Sequence, residues 1–194
     1  VPTSAGTLAD AIVGASLVRE GDEDWFLQFN DAGLVLAMCA EAAPREVWGA
    51  IRSRIRDRAA GYMLSVGFPE GIMGKLPVGE VMDWVGESPE ERGPVVARLS
   101  RMDFSTDETL ASRLLGRYAQ LDGVARACSN AVNSGAWMGK SSDHWDTIAE
   151  SLEAAASRTA LAGLRVWATV NARALRDTAA HERKRETEEE LDRA

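Results

Sequence analysis

Apolar residues recur three or four positions apart along most of this 194-residue chain, whereas no run alternates steadily between apolar and polar residues. The first spacing is typical of amphipathic α-helices, and the second is typical of β-strands. The segment after Pro44 illustrates the helical spacing, because Val47 and Ile51 lie one turn apart on the same face. We therefore predict an all-α fold.

Glycine and proline residues divide this helical pattern into sections. The segment from Gly67 to Pro77 contains three glycines and two prolines, which interrupt any regular element. We therefore predict an N-terminal helical subdomain in residues 1–66, a loop or hinge in residues 67–77, and a helical-repeat-like region in residues 78–194. In the first of these, a helix is expected over about residues 7–19, with Thr7 as its N-cap.

The region after Pro77 consists of helical segments joined by short turns. The predicted helices cover residues 78–86, 89–101, 107–119, 122–133, 142–157 and 160–190. Short helices with short connections are what stacked helical hairpins require, so we predict a solenoid-like stack of short helices with a long charged C-terminal helix. The end of that helix, His181–Ala194, has no apolar stripe and is expected to be a solvated tail.

The charge and hydropathy of the chain exclude two classes of partner. The formal net charge is −8, and the 22 basic residues are interleaved with 30 acidic ones, so we expect no nucleic-acid partner. The longest strongly apolar stretch, Ala32–Ala43, is far shorter than the roughly 20 residues that cross a bilayer. The N-terminus also lacks the basic and long apolar segments of a secretory signal. We therefore expect a soluble, cytoplasmic protein with no membrane partner.

The residues that most often bind metals are scattered. Cys39 and Cys128 lie in apolar helical segments, and neither has a cysteine or histidine at metal-ligand spacing, so we predict two buried thiols. Asp143, His144 and Asp146 fall in the first turn of a predicted helix, where polar residues commonly cap the helix or face solvent. We predict no metal site and no cofactor.

The segment from Gly135 to Ser141 is the nearest approach to a catalytic motif. It resembles a P-loop, but three residues separate its glycines where four are required, and it follows a helix rather than a strand. We interpret it as a turn in which Ser141 or Ser142 caps the next helix. We assign no catalytic residue and predict that the chain is not an enzyme. A small nucleotide-binding enzyme that uses the turn from Gly135 to Lys140 is an alternative.

Most of the six tryptophans are expected to pack between helices, and Trp137 is the exception because glycines flank it. An exposed ring there could serve as a hot spot for a protein partner, whereas packing of the turn is the competing interpretation. Met138 and Lys140 would extend this contact surface, and the charged end of the last helix would add Arg183 and Arg185. We predict these five residues as partner-binding.

Several short motifs follow one another over about residues 76–190. They are Leu76-Pro77, Glu80-Val81-Met82-Asp83-Trp84, Pro89-Glu90-Glu91-Arg92-Gly93-Pro94, Ser134-Gly135-Ala136-Trp137-Met138-Gly139-Lys140-Ser141-Ser142, His144-Trp145, Val166-Trp167-Ala168 and Glu182-Arg183-Lys184-Arg185-Glu186. Their order resembles the C-terminal helical-repeat-like region of large bacterial NTPases and antiphage-defence proteins of the STAND type. The resemblance implies a scaffold that lies beside a nucleotide-switch or effector domain and senses, docks or transmits.

The sequence thus favours a non-catalytic helical scaffold that binds a protein partner or another part of its own parent protein. As the resemblance implies, the setting would be an intracellular bacterial defence or signalling assembly. An alternative is a regulatory subunit, or a substrate cleaved by a protease, that restrains a partner and uses residues 67–77 as its joint. The sequence leaves the identity of the partner and the oligomeric state open.

Overall fold

The structure, a computed structural model, describes residues 3–15, 35–54, 72–100, 102–133 and 138–192. Within these ranges every regular element is an α-helix, which confirms the all-α prediction. The helices are α1 (Ser4–Ala15), α2 (Pro44–Arg54), α3 (Ile72–Lys75), α4 (Val78–Glu87), α5 (Pro89–Leu99), α6 (Leu110–Tyr118), α7 (Asp122–Asn133), α8 (Ser141–Arg158) and α9 (Ala162–Asp192), and residues 35–42 are helical as well. The solenoid-like stacking of these helices stays a prediction.

The chain forms two compact units, Val1–Arg101 and Met102–Ala194. This division does not coincide with the boundary expected at residues 67–77. Of that segment, residues 67–71 lie outside the described part of the chain, and Ile72–Lys75 form the short helix α3. The predicted subdomain organisation stays a prediction.

In the first unit, Glu46 of α2 holds the start of α1. Its carboxylate accepts hydrogen bonds from the backbone N–H and the hydroxyl of Thr3, at 2.9 and 2.7 Å. The Thr3 hydroxyl in turn accepts from the backbone N–H of Gly6 at 3.2 Å. A hydroxyl that accepts from a free N–H in the first turn is a helix cap. The expectation that Thr7 caps this helix is therefore wrong, because Thr7 lies inside α1 and donates to the Thr3 carbonyl.

Two buried tryptophans meet in the core of the first unit. The rings of Trp48 and Trp84 pack edge to face, with 5.5 Å between their centroids and 82° between their planes. The guanidinium of Arg92 lies 4.6 Å from the centroid of the Trp84 ring and donates to the Trp84 carbonyl at 2.7 Å. These contacts join α2, α4 and α5, and they confirm for both rings the prediction that tryptophans pack between helices.

In the second unit, α8 and α9 form an antiparallel hairpin. Ser142, near the start of α8, bonds to Glu186, whereas Glu153, about three turns further on, pairs with Arg176. Residues later in α8 therefore pair with residues earlier in α9, as in any antiparallel pair of helices. Both helices match their predicted spans closely, since residues 142–157 and 160–190 were expected to be helical.

A close approach brings α6 onto the start of α9. A Cβ atom added at Gly163 would lie 2.6 Å from the carbonyl oxygen of Leu115 and 2.8 Å from that of Gly116. Only a glycine allows two backbones to come this near. The α6 helix itself begins at Leu110, because the Thr109 hydroxyl caps it by accepting from the Ser112 N–H at 3.3 Å. None of the helices in the described ranges has both the length and the apolar content needed to cross a bilayer.

A candidate protein-docking groove

A groove of about 720 Å³ lies in the second unit between α7 and the first third of α9. The turn after α6 closes one end of it. The lining residues are Ala119, Gln120, Asp122, Ala125, Arg126, Ser129, Ala162, Gly163, Val166, Trp167, Val170 and Asn171. Most of these side chains are apolar or small, so the groove offers a mainly apolar surface between two helical walls.

The α9 wall of the groove carries two exposed valines. The side chains of Val166 and Val170 are 65% and 62% exposed, and they lie one turn apart on the same side of α9. The opposite side of the helix carries Leu164 and Ala168, which are buried against the rest of the unit. Single exposed apolar residues are common on proteins, but two adjacent ones that line a groove form a patch that another molecule can cover.

Hydrogen bonds hold the two walls of the groove together. The indole N–H of the buried Trp167 donates to the carbonyl of Ala125 on α7 at 3.2 Å. The Ser129 hydroxyl lies 2.7 Å from the side-chain oxygen of Asn171, whose amide nitrogen donates to the Trp167 carbonyl at 2.8 Å. These bonds satisfy the polar groups of the groove floor. The groove is therefore formed before any partner binds.

Two ionisable side chains line the groove, Asp122 and Arg126. Asp122 lies in the first turn of α7, where the helix dipole stabilises a negative charge. Arg126 follows one turn later on the same helix. The α7 wall of the groove therefore carries one charge of each sign.

Met138 and Lys140, two of the predicted partner-binding residues in the turn before α8, do not line this groove. Trp137 lies outside the described residues, whereas the side chain of Met138 is 100% exposed. The ammonium of Lys140 lies 2.9 Å from a carboxylate oxygen of Glu190, and this hydrogen bond raises the pKa of Lys140. Lys140 thus already has an anionic partner within the chain.

The two predicted arginines at the end of α9 also pair within the chain. Arg183 forms an ion pair with Asp146 of α8, and Arg185 contacts Glu182 at 2.7 Å and Glu189 at 3.5 Å. Their charges are therefore compensated locally. A role for these arginines in binding another protein stays a prediction.

The end of α9 is not the freely solvated tail that its composition suggested. The Glu186 carboxylate accepts from the backbone N–H and the hydroxyl of Ser142, at 3.2 and 2.6 Å. These bonds, the hydroxyl bond first, lower the pKa of Glu186. The expectation that Ser141 or Ser142 caps α8 is therefore wrong, because an acid from the neighbouring helix caps the first turn of α8.

The remaining candidates for chemistry are structural. Cys39 and Cys128 are both buried, as predicted, and burial raises the pKa of the Cys128 thiol to about 12. A thiol that stays protonated is a poor nucleophile. Asp146 of the predicted Asp–His–Asp cluster pairs with Arg176 at 2.8 Å as well as with Arg183. Its carboxylate therefore holds α8 to α9.

The sequence analysis missed Val166 and Val170 as site residues. Their one-turn spacing is visible in the sequence, and so is the position of Leu164 on the other side of the same helix. A helix with apolar residues on two sides indicates either a fully buried helix or one with a binding surface. Only the packing of α6, α7 and α8 shows which side is covered.

Comparisons with known proteins add no relative. No family model matches the chain, and no curated protein or solved structure is significantly similar to it. The resemblance to STAND-type proteins stays a prediction that rests on the motifs quoted above.

Proposed function

We propose that this chain is a non-catalytic helical module that binds a protein partner in the groove between α7 and α9. The observation that carries the proposal is the pair of exposed valines, Val166 and Val170, in the wall of a groove whose floor is already hydrogen-bonded. The setting that we propose, a bacterial defence or signalling assembly, rests on the motif resemblance alone.

The shape of the groove favours a helical segment of a protein over a small ligand. A small-molecule site commonly encloses most of its ligand, whereas Val166 and Val170 leave one side of this groove open. The strip from Ala162 to Val170 spans about 12 Å along α9, which is roughly two turns of a helix. A partner helix that carries apolar side chains one turn apart could contact both valines at once.

Covering the two valines makes a favourable contribution to the free energy of binding. Fully burying a valine side chain contributes about 1.5–3 kcal/mol. Two valines cannot by themselves offset the cost of association, so neighbouring contacts of the groove must contribute as well. A charge placed among these apolar contacts would have to be desolvated on binding, and it should therefore abolish the interaction.

Two matched substitutions on α9 test the proposal. Val170→Asp places a carboxylate in the groove, whereas Thr169→Asp places the same charge on the neighbouring, exposed position outside the lining. Tagged wild-type protein and both variants would be used to enrich partners from the native cell. We expect a protein that is retained by the wild type and by Thr169→Asp but is lost with Val170→Asp.

Circular dichroism and thermal melting of the variants serve as the folding control, since both substitutions are on exposed positions and should leave the melting temperature nearly unchanged. Equal retention of all partners by Val170→Asp and Thr169→Asp would show that the groove is not the binding surface. The same result with folded variants would remove the basis of the proposal.

A further inference from the structure

Two arginines beside the groove have no ionic or hydrogen-bonding partner among the described residues. They are Arg126, which lines the groove on α7, and Arg173, which lies on α9. Six of the other described arginines of this unit have a guanidinium that forms an ion pair or a hydrogen bond, and the guanidinium of Arg117 instead lies 5.3 Å from the centroid of the Tyr118 ring. The six are Arg113, Arg158, Arg165, Arg176, Arg183 and Arg185. The two exceptions thus occur next to the same surface.

The position of Arg173 follows from the period of α9. It lies three residues after Val170 and seven after Val166, so its side chain leaves the helix on the same side as the two valines. It therefore extends the α9 wall by one turn. Arg126 lies on the opposite wall, and the two guanidiniums flank the apolar strip from different helices.

Acids of the chain itself are close in sequence but do not pair with these arginines. Asp122 precedes Arg126 by one turn and Asp177 follows Arg173 by one turn, yet no ion pair joins either couple in the described structure. Asp122 is stabilised instead by the N-terminus of α7. An arginine placed before an acid at this spacing is also the weaker orientation for an ion pair on a helix, which applies to Arg173.

We infer that the occupant of the groove is an acidic amphipathic helix of a partner protein, with apolar residues against Val166 and Val170 and carboxylates that pair with Arg126 and Arg173. This inference rests on the proposed function and adds the chemistry of the partner. A guanidinium binds a carboxylate through two parallel hydrogen bonds, which gives direction as well as charge. The arginines thereby select the acidic helix and set its orientation.

The overall charge makes this preference a local one. The chain carries a formal net charge of −8, so an acidic segment is repelled at long range and gains only where it reaches the two arginines. A basic helix would be attracted to the chain at long range but repelled by the two arginines at the groove. Selection for acids at the groove is therefore a specific consequence of Arg126 and Arg173 rather than of general electrostatic attraction.

A display library tests the inference without knowledge of the natural partner. The library would present 18-residue alanine-based helical peptides, with apolar residues fixed at i, i+4 and i+7 and the flanking positions randomised, and would be selected against the full chain. We expect Asp and Glu to be enriched at the flanks. The double variant Arg126→Glu/Arg173→Glu should bind the selected peptides about 10-fold or more weakly than the wild type does. Selection against this variant should enrich Lys and Arg at the flanks instead.

Lys184→Glu provides the control, because it makes the same change of charge as one of the two arginine substitutions, on α9 but at a position that is not part of the groove. Peptide affinities for this variant should be close to those of the wild type. Two outcomes would overturn this inference and leave the proposed function standing. In both, Val170→Asp blocks binding of the selected peptides, but the peptides either show no preference for acids or bind the double arginine variant equally well.

The same experiment distinguishes failure of the proposed function from failure of this inference. A library that yields no peptide sensitive to Val170→Asp would argue against a helix-binding groove altogether. Sedimentation of the wild type and of Val170→Asp tests whether the groove instead binds a second copy of this chain. We expect both to be monomeric in this assay, and a dimer that Val170→Asp dissociates would overturn the assignment of an acidic partner.

Discussion

The two halves of α9 are held in place by different forces, although they belong to one continuous helix. The first half, residues 162–175, packs through Leu164, Trp167, Leu175 and two alanines, all of them buried. The second half, residues 176–192, is joined to α8 mainly through charged and polar side chains. A regular backbone therefore does not imply uniform stabilisation along its length.

This difference explains where the candidate site lies. The first half brings bulky side chains and a close glycine contact to the core, and its other side leaves Val166 and Val170 exposed. The second half covers α8 with ion pairs that salt and pH can weaken. The groove thus lies on the half of α9 that is packed into the core, whereas the second half is held mainly by charged and polar side chains.

The largest expected effect is the loss of a core leucine from the first half. Leu164→Ala should lower the free energy of unfolding by about 2–5 kcal/mol, because it removes buried methyl groups and leaves a cavity. Leu191→Ala is the matched change in the second half, where the side chain is 71% exposed, and it should shift stability by less than about 0.5 kcal/mol. Urea unfolding of both variants measures the difference. Similar losses would mean that the two halves are not held differently.

A somewhat smaller effect is expected from Gly163→Ala. The new methyl group would meet the carbonyl oxygens of Leu115 and Gly116, so α6 and α9 would have to move apart at a cost of about 1–3 kcal/mol. Gly79→Ala is the control, since no atom lies within 4 Å of the added Cβ inside α4. It should stabilise the chain by up to about 1 kcal/mol. A neutral Gly163→Ala would show that the close approach is absent.

The second half should instead show sensitivity to salt. Arg176 contacts Asp146 at 2.8 Å and Glu153 at 2.9 Å, and the hydrogen bond to Glu153, followed by that to Asp146, raises the pKa of its guanidinium. Arg176→Ala should lower the melting temperature less than the two core changes do, and the decrease should shrink in 1 M NaCl. Calorimetry at two salt concentrations tests this. A loss that is independent of salt would indicate that the stem of Arg176 acts through packing.

The smallest effect concerns the acid that caps α8. Its bonds to Ser142 lower the pKa of Glu186 below the ordinary value of 4.5, so its contribution to stability is present above that value and is lost as pH falls through the folded-state pKa. The melting temperature of Glu186→Gln should therefore lie below that of the wild type at pH 7, and the gap should close on acidification. Glu188→Gln, an exposed change on the same helix, is the control. A gap that does not narrow as the pH falls below 4.5 would contradict the capping role.

Much of the helical framework could be predicted from local signals in the sequence. The span predicted for α7, residues 122–133, agrees with the structure, and α8 and α9 differ from their predicted ends by one or two residues. Apolar spacing, proline positions and turn residues act within a few positions of the chain, so they are readable without a tertiary model. The start of α1 was missed because its cap depends on Glu46, which belongs to another helix.

The sequence alone determined that this chain is all-α and where most of its helices begin and end. Only the tertiary structure decided that Val166 and Val170 stay exposed, that Arg126 faces them across a groove, and that Glu186 caps a helix 44 residues earlier. The physical reason is that a helix requires only neighbours along the chain. Exposure and charge pairing depend on which helices pack together, and that is settled by the free energy of the whole unit.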